Sequence, residues 1–430
     1  MTQQLENRIR RFLKRYLDAS KPVVLAFSGG ADSTALLYLL VALQREMTLD
    51  LHVMHVDHGW RQESSQEAQQ LKLLAEKHCL PFYCRRLKEC RGGNLEAYGR
   101  QERLRFFEEV CREIRAQAVL LAHHADDQAE TVLKTVLQGN ALPFLAGMQK
   151  VTNMGDITLW RPLLEVSKRE INDWLLTKGY SFFEDITNHD CRFLRARLRE
   201  EVIPQLSQAF GKEVGKGLCR LGKEAEQLRR YLDARIEPQL ASVRRGRLGV
   251  FLAVEGVEAW HDMELQHLVR RFCAEEGVIL PSELVDAVCQ LLRLGVAHRK
   301  VCVAEATIFV DRKHLFLVTH PLSERTWKIT IQGVSSNADV SSETWKQVWT
   351  GRCRAILPER DYTLSPPIMA ASYPRGSAIR KWWSNHKVPA FLRENVPVLW
   401  ADGNIEHEFL TGQCKQHKEQ PLIEVTLEVK

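Results

Sequence analysis

Two rhythms of apolar and polar positions run through the first half of the chain. Pro22–Phe27, Leu51–Val56, Pro81–Arg85 and Ala118–Ala122 are short runs rich in apolar residues, of strand length. The stretches between them repeat apolar residues at three- and four-residue intervals, as amphipathic helices do. They are Leu5–Leu17, the segment carrying Leu36, Leu39, Leu40 and Leu43, then Ser64–His78 and Leu95–Ile114. A further helix, Asp127–Gln138, carries Ala129, Val132, Leu133, Val136 and Leu137 on one face and stops at Gly139. Strands alternating with helices of this length predict an α/β domain with a parallel sheet covered on both faces. In such sheets ligands bind beyond the carboxyl ends of the strands. Polar residues directly follow the first, second and fourth runs.

The rhythm changes near Pro204. Glu213–Arg235 is a highly charged helix, followed by helices near Asp262–Glu275 and Ser282–Leu294 and strands at Lys300–Phe309 and His314–Val318. Pro321–Ser342, rich in Ser and Thr, is a connector or a short β segment. Trp345–Lys430 mixes short strands with one basic, aromatic helix. The expected division is a domain over 1–208, a mostly helical middle domain over 209–320, a linker over 321–344 and a small α+β domain over 345–430.

Composition narrows the function classes. Hydrophobic residues make up 45%, enough for packed cores, and the formal charge of +6 accommodates an acidic partner such as nucleic acid. The N-terminal stretch is basic without an apolar core of signal length, and no apolar run reaches membrane-spanning length, so a cytoplasmic protein is expected. Eleven cysteines occur with no Cys-x-x-Cys pair, which reads as reduced thiols rather than a metal or cluster site.

The chemistry begins at Ser28-Gly29-Gly30-Ala31-Asp32-Ser33, between an apolar strand and an apolar-faced helix. Two glycines permit a sharp turn and close approach of a ligand. Backbone N–H groups, two hydroxyls and the helix N-terminus converge on an anion there. The lysine of a Walker A loop is missing, so a nucleotide's charge falls to backbone dipoles, a metal ion and distant basic residues. Asp32 beside a polyanion makes sense as a Mg²⁺ ligand. His123, His124, Asp126 and Asp127 lie at the carboxyl end of the fourth strand. There His123 is suited to donate to a phosphate, and Asp126 or Asp127 to hold a metal or orient an amine. Asp127 and Glu130 also have the spacing of a helix-capping pair. Asp57 and His58 follow the second strand, where a nucleoside binds, and Arg100 with Arg103 suits phosphate. Asp185, Asn188, Arg195, Arg197 and Arg199 form a compact polar and basic stretch. In the last region Lys381, Lys387 and Arg393 stand among Trp382, Trp383 and Phe391, a mixture suited to RNA backbone and unpaired bases.

The loop resembles the Ser-Gly-Gly-x-Asp-Ser signature of the PP-loop ATP pyrophosphatases, the adenine nucleotide alpha hydrolase-like fold. Five further blocks resemble the tRNA(Ile)-lysidine synthases: Val56–Arg61, Asn94–Arg103, His123–Thr131, Arg161–Leu164 and Asp185–Asp190. The resemblance covers about residues 20–205 in order, with a shorter match over Arg380–Pro397. It implies an ATP-dependent ligase that adenylates the wobble cytidine of a tRNA(Ile) with a CAU anticodon and then joins L-lysine to its C2, with ATP and Mg²⁺ as cofactors. A homodimer is allowed. Ala196 stands where that family's pattern has asparagine. A tRNA thiolase, a glutamine-dependent amide synthetase and a silent RNA-binding adaptor are the competing readings. The first lacks its cysteines here, the second its ammonia-generating domain, and the third does not explain the intact loop.

Overall fold

The computed structural model describes residues 2–57, 59, 64–87, 95–183, 194–304, 306–333, 344–365, 376–401, 404–411, 413–414 and 421–429. The chain divides into two compact units, Met1–Arg229 and Arg230–Lys430.

In the first unit, α1 (Thr2–Tyr16) leads into β1 (Val23–Ala26), α2 (Ala31–Leu43), β2 (Leu51–Asp57), α3 (Ser64–Lys77), β3 (Phe82–Arg86) and α4 (Leu95–Ile114). Then come β4 (Ala118–Leu120), α5 (Ala125–Leu137), β5 (Val151–Met154), β6 (Ile157–Trp160) and α6 (Lys168–Lys178). The six strands lie in the order β3-β2-β1-β4-β6-β5. All neighbours are parallel except β5, which runs antiparallel to β6. Period-2 alternation explains the two-sided core. Val23, Leu25, Val53 and Leu120 point to the face covered by α1, α2 and α6, while Val24, Met54 and Val119 meet Phe106, Phe107 and Val110 of α4. Each such side chain, fully buried, contributes roughly 1.5–3 kcal/mol.

The expected parallel sheet is therefore present, and the structure adds a hairpin and a helix. Gly155, at φ +56°, turns β5 into β6. Helix α6 starts where Ser167 accepts from the Glu170 amide and Glu170 accepts from the Ser167 amide. Helix α5 begins two residues earlier than expected, because His124 rather than Asp127 caps it. The chain continues through α7 (Leu194–Arg197), a π-helical turn over Leu198–Val202, α8 (Ile203–Phe210) and α9 (Val214–Leu240). A Cβ on Gly222 of α9 would come within 2.9 Å of Val132 on α5, so the glycine permits that close approach.

The second unit begins with β7 (Arg244–Gly246), β8 (Gly249–Ala253), α10 (Asp262–Ala274), α11 (Ser282–Arg293), β9 (Arg299–Val303), β10 (Ala306–Asp311) and β11 (His314–Val318). Its strands form an antiparallel sheet in the order β7-β8-β11-β10-β9, packed on α10 and α11 through Leu268, Phe272, Val285, Ile308 and Leu317. The run Lys300–Phe309 is thus two strands of a hairpin, a reversal without Gly, Pro, Asn or Asp to mark it. After β12 (Trp327–Gly333) come α12 (Trp345–Trp349), β13 (Arg352–Pro358), β14 (Thr363–Ser365), α13 (Gly376–Asn385) and α14 (Ala390–Arg393). The chain closes with β15 (Val398–Ala401), β16 (Asn404–Glu408), β17 (Gln413–Cys414) and β18 (Leu422–Val429). These strands make two further antiparallel sheets, β12-β18-β13 and β14-β15-β16-β17. One core joins Phe251 and Phe316 to Trp345, Trp349, Phe391 and Val425.

Candidate active site

The loop after β1 is shaped by two different glycines. Gly29 sits at φ +84°, and a Cβ there would lie 2.9 Å from Leu71, so only glycine fits. Gly30, at φ −70°, is the residue before α2, and its nearest neighbour would stand 3.7 Å from an added Cβ. The protein itself leaves room there, which is what backbone approach to a ligand requires. Ser28 and Ser33 share a hydroxyl–hydroxyl hydrogen bond of 3.0 Å, and Ser33 also donates to the Gly30 carbonyl. The Gly29 carbonyl accepts from Thr34 Oγ1 and from the Phe183 amide. Ala31 opens the helix with Asp32 and Ser33 in its first turn, so the first-turn amides, which have no intrahelical acceptor, lie together with the positive helix end at the loop.

Asp32 is the first acid of a connected cluster. Its Oδ1 accepts a 2.6 Å hydrogen bond from Lys168 Nζ, and its Oδ2 lies 3.7 Å from His124 Nε2. His124 is buried and caps α5, its Nδ1 accepting from the Asp126 amide at 3.3 Å. Asp127 Oδ2 accepts from the His124 amide at 3.0 Å and stands 3.4 Å from His124 Nε2. Burial disfavours the imidazolium of His124, but the hydrogen bond with Asp126 and the charges of Asp127, Asp32 and Asp126 outweigh it, so its pKa is raised. The hydrogen bond with His124 lowers the Asp126 carboxyl, helped by the Lys168 amide donating to it at 2.8 Å. On the far side Arg199 donates Nη2 to Asp127 at 2.9 Å and Nε to Glu130 at 2.6 Å. Burial raises the Glu130 carboxyl despite this partner. Three of these four carboxylates accept from a permanent cation, Asp32 from Lys168 and Asp127 and Glu130 from Arg199, while Arg195 acts on Glu130 through its charge.

The other half of the site is basic. Burial pushes His123 down to about 4, opposed by Asp127 and reinforced by the nearby charges of Arg161, Arg195 and Arg103. It is a neutral imidazole at physiological pH, able to donate through one nitrogen and accept through the other. Burial lowers the Arg161 guanidinium, with Arg100 as the second cause. Arg161 donates to the Gln149 carbonyl and to Thr152, yet its Nε and the Nδ1 of His123 are buried without a partner among the described residues. At the ligand-facing end of the sheet such unpaired atoms are available to a ligand atom. Arg100, Arg195 and Arg197 are exposed.

Asp57 is buried and accepts from the Gly59 amide at 2.8 Å, with Arg86 Nε 3.8 Å away, so it shapes the turn after β2. His55, unforeseen in the sequence, ties β2 to the loop through a 2.8 Å contact between Nδ1 and the Phe27 carbonyl. His58, Asp185 and Asn188 lie outside the described residues. Lys168 is the other residue that sequence reasoning passed over. Its signal was there: Ser167-Lys168-Arg169-Glu170 has a capping box's spacing, and Ile171, Trp174 and Leu175 give the apolar stripe.

The basic aromatic stretch belongs to the second unit. Trp383 and Phe391 are buried, whereas Lys381 and Lys387 are exposed. Arg393 is engaged internally, donating to the Val388 carbonyl and lying 5.7 Å from the Trp383 ring centre. A cavity of about 160 Å³ is lined by Asp311, Arg312, Trp345, Lys346, His386 and Lys387, among others. Asp311 lies 2.7 Å from His298 Nδ1 and 3.9 Å from Arg312 Nε, and the cations Arg312, Lys346 and Lys387 outnumber it around the cavity.

Comparison with known proteins agrees with this geometry. Residues 1–206 match the PP-loop domain family. A tRNA(Ile)-lysidine synthase of Protochlamydia amoebophila is 34% identical over 431 aligned positions, covering 96% of this chain and 94% of that protein. The tRNA(Ile)-lysidine synthases of Chlamydia muridarum and Chlamydia caviae are 37% and 41% identical, each match covering 69% of this chain and 94% of the relative. With a PP-loop at the head of α2 and near-complete coverage of a relative above 30% identity, the chain belongs to the tRNA(Ile)-lysidine synthase family.

Proposed function

We propose that the protein joins L-lysine to C2 of the wobble cytidine of an AUA-decoding tRNA(Ile) with a CAU anticodon, at the expense of ATP. The cytidine O2 attacks the α-phosphorus and pyrophosphate leaves. The lysine ε-amine then attacks C2, AMP departs with the former O2, and the amine gives up a proton. Adenylation is needed because a pyrimidine carbonyl oxygen is otherwise a poor leaving group.

The observation that carries this reading is the division of the strand-end site into halves of opposite sign. The amides at the head of α2, with Arg100, Arg103, Arg161 and Arg195, suit phosphate and RNA. The acid-rich half, Asp32, Asp126, Asp127 and Glu130, suits an ammonium substrate. Arg199 holds Asp127 and Glu130 in fixed positions, and a carboxylate there accepts the proton lysine must lose. Asp32 is the Mg²⁺ ligand in this proposal. No three His, Cys, Asp or Glu side chains converge on a metal site among the described residues. That fits an ion bound by one carboxylate, waters and the nucleotide's own phosphates. The ion would neutralise charge growing on the departing pyrophosphate. Lys346, Lys381 and Lys387 of the second unit bind RNA phosphates in this scheme. No helix among the described residues is long and apolar enough to cross a membrane, in keeping with a cytoplasmic tRNA-modifying enzyme.

The test is incubation with ATP, labelled lysine and purified tRNAs. Lysine incorporation into the CAU-bearing tRNA(Ile), with AMP and pyrophosphate released in step, is expected. Binding of tRNA without incorporation makes the protein an RNA-binding adaptor instead.

A further inference from the structure

We infer that Lys168 is a positioning residue that exchanges partners during the reaction cycle, holding Asp32 before nucleotide arrives and moving onto the pyrophosphate portion of the nucleotide afterwards. The exchange presupposes the nucleotide site proposed above and adds a residue to it.

Three observations converge on Lys168. Its Nζ lies 2.6 Å from Asp32 Oδ1, in the first turn of α2, so the ammonium sits within one side chain's reach of the anion-binding amides. Its base is anchored. The Lys168 amide donates to Asp126 at 2.8 Å, and it is the first residue of α6, whose capping box fixes the backbone around it. Its tip is not anchored in the same way, because the side chain is 37% exposed and Asp32 is 28% exposed. A lysine with a fixed stem and a solvent-facing ammonium can swing without unfolding anything.

Electrostatics gives the exchange its direction. Without nucleotide, Asp32 is a carboxylate at a helix end that must receive a polyanion, and Lys168 is the cation that hydrogen-bonds to it. When a metal-bearing nucleotide enters, the dication competes for Asp32 and the phosphates compete for Lys168. Every charge then keeps an opposite partner, and the loop acquires the lysine that its sequence lacks compared with a Walker A loop. Hydrogen bonds between an ammonium and phosphate are the charge-assisted kind, so losing one should cost about tenfold or more in affinity.

The experiment measures binding by calorimetry to the full-length protein, free of tRNA and lysine, using α,β-methylene-ATP and AMP as probes. Each is titrated with Mg²⁺ and with EDTA. Lys168→Met should weaken α,β-methylene-ATP at least tenfold in Mg²⁺ and leave AMP, which lacks the pyrophosphate portion, within about twofold. In EDTA the loss should be larger, because Asp32 then repels the phosphates unopposed. Adding Asp32→Asn to Lys168→Met should recover part of that metal-free loss, and Lys168→Arg should retain most of the wild-type affinity. Equal weakening of both probes would reduce Lys168 to a structural residue of α6. Unchanged binding of α,β-methylene-ATP by Lys168→Met, in Mg²⁺ and EDTA alike, would overturn the exchange. If the wild-type protein itself ignores α,β-methylene-ATP, it is the nucleotide site that fails.

Discussion

Around Glu130 in the first unit and Glu408 in the second, a carboxylate is buried to the same 3% exposure, with histidines close by in the chain. Their surroundings differ in kind. Glu408 accepts from Trp383 Nε1 at 2.9 Å, from the Leu410 and Thr411 amides at 2.8 and 3.2 Å, and from the Thr411 hydroxyl at 2.7 Å. All four donors are neutral, and three come from the next three residues. Glu130 instead shares the guanidinium of Arg199, 69 residues further along, with Asp127. Burial raises both carboxyls. Burial of an acid therefore does not distinguish a site from a fold element. The partner does: neutral donors fixed to the backbone close a structural hub, whereas a cation shared between acids can be redistributed when a charged ligand enters.

Substitutions sharpen that contrast. Asp32→Ala removes the acid nearest the loop, and AMP and pyrophosphate formation should fall about a thousandfold, the scale of losing one preorganised group at a phosphoryl centre. Its tRNA affinity, measured by filter binding, should stay within about twofold. Unchanged turnover would refute the metal role of Asp32. Next in size are the two partners just compared. Arg199→Met leaves Asp127 and Glu130 facing each other and should cost about 3 kcal/mol in urea unfolding. That is the low end for breaking a buried pair, because the Arg199 side chain is still 37% exposed. Lysine KM should rise with it. Glu408→Ala orphans four donors and should cost about 2–4 kcal/mol, yet the folded fraction should keep the wild-type KM for lysine and ATP. A changed KM in Glu408→Ala breaks the comparison.

A smaller effect is expected at the cationic cavity. Removing everything after residue 344 would uncover Phe251 and Phe316, which pack on Trp345 and Trp349, so point changes are the cleaner probe. The pair Lys346→Gln and Lys387→Gln should weaken tRNA binding severalfold and reduce the slope of log affinity against log salt by roughly two, with lysine KM unchanged. An unaltered slope removes these lysines from the RNA path. The Chlamydia muridarum and Chlamydia caviae relatives each match 69% of this chain over 94% of their own length, whereas the Protochlamydia relative matches 96% of it.

Much of the first unit was legible from residues alone, because a two-sided parallel sheet needs nearly continuous apolar runs and its loops must carry the polar chemistry. Pro22–Phe27 and Ala118–Ala122 were of that kind, and β1 and β4 fall inside them. The β5–β6 hairpin was not read, although Gly155-Asp156 marks its turn, since Val151–Trp160 lacks a long apolar run. The acids His124 gathers were visible as a cluster. The cations that balance them were less so: Arg199 stood among several arginines, and Lys168 lies 136 residues from Asp32. Pairing across that distance is set by β1, β4 and β6 lying side by side, which no local pattern encodes. In the last region the tryptophans split by environment, Trp383 into the core and Trp382 only half-buried, a distinction that composition does not draw.

The smallest expected effect concerns the histidines of the two regions. Burial holds both His123 and His407 down to about 4. The sign follows from linkage. The unfolded chain takes up a proton near 6.5 that the folded chain refuses until about 4, so each histidine erodes stability as pH falls through that window and is neutral in effect above it. The slope is at most about 1.4 kcal/mol per pH unit for each. Neither buried ring nitrogen of His407 has a hydrogen-bond partner among the described residues, and the ring packs edge-on against Phe409 at 4.7 Å. His407→Phe should therefore raise the urea midpoint and flatten its fall between about pH 7 and pH 5, leaving AMP formation alone. His123→Asn should flatten the same fall, but at a cost in AMP formation, because its ring lies near Arg161, Arg195 and Arg103, the arginines proposed for phosphate. If His407→Phe leaves the pH dependence as steep as before, that ring is charged in the folded protein and the second unit holds an anion near it that the present geometry does not explain.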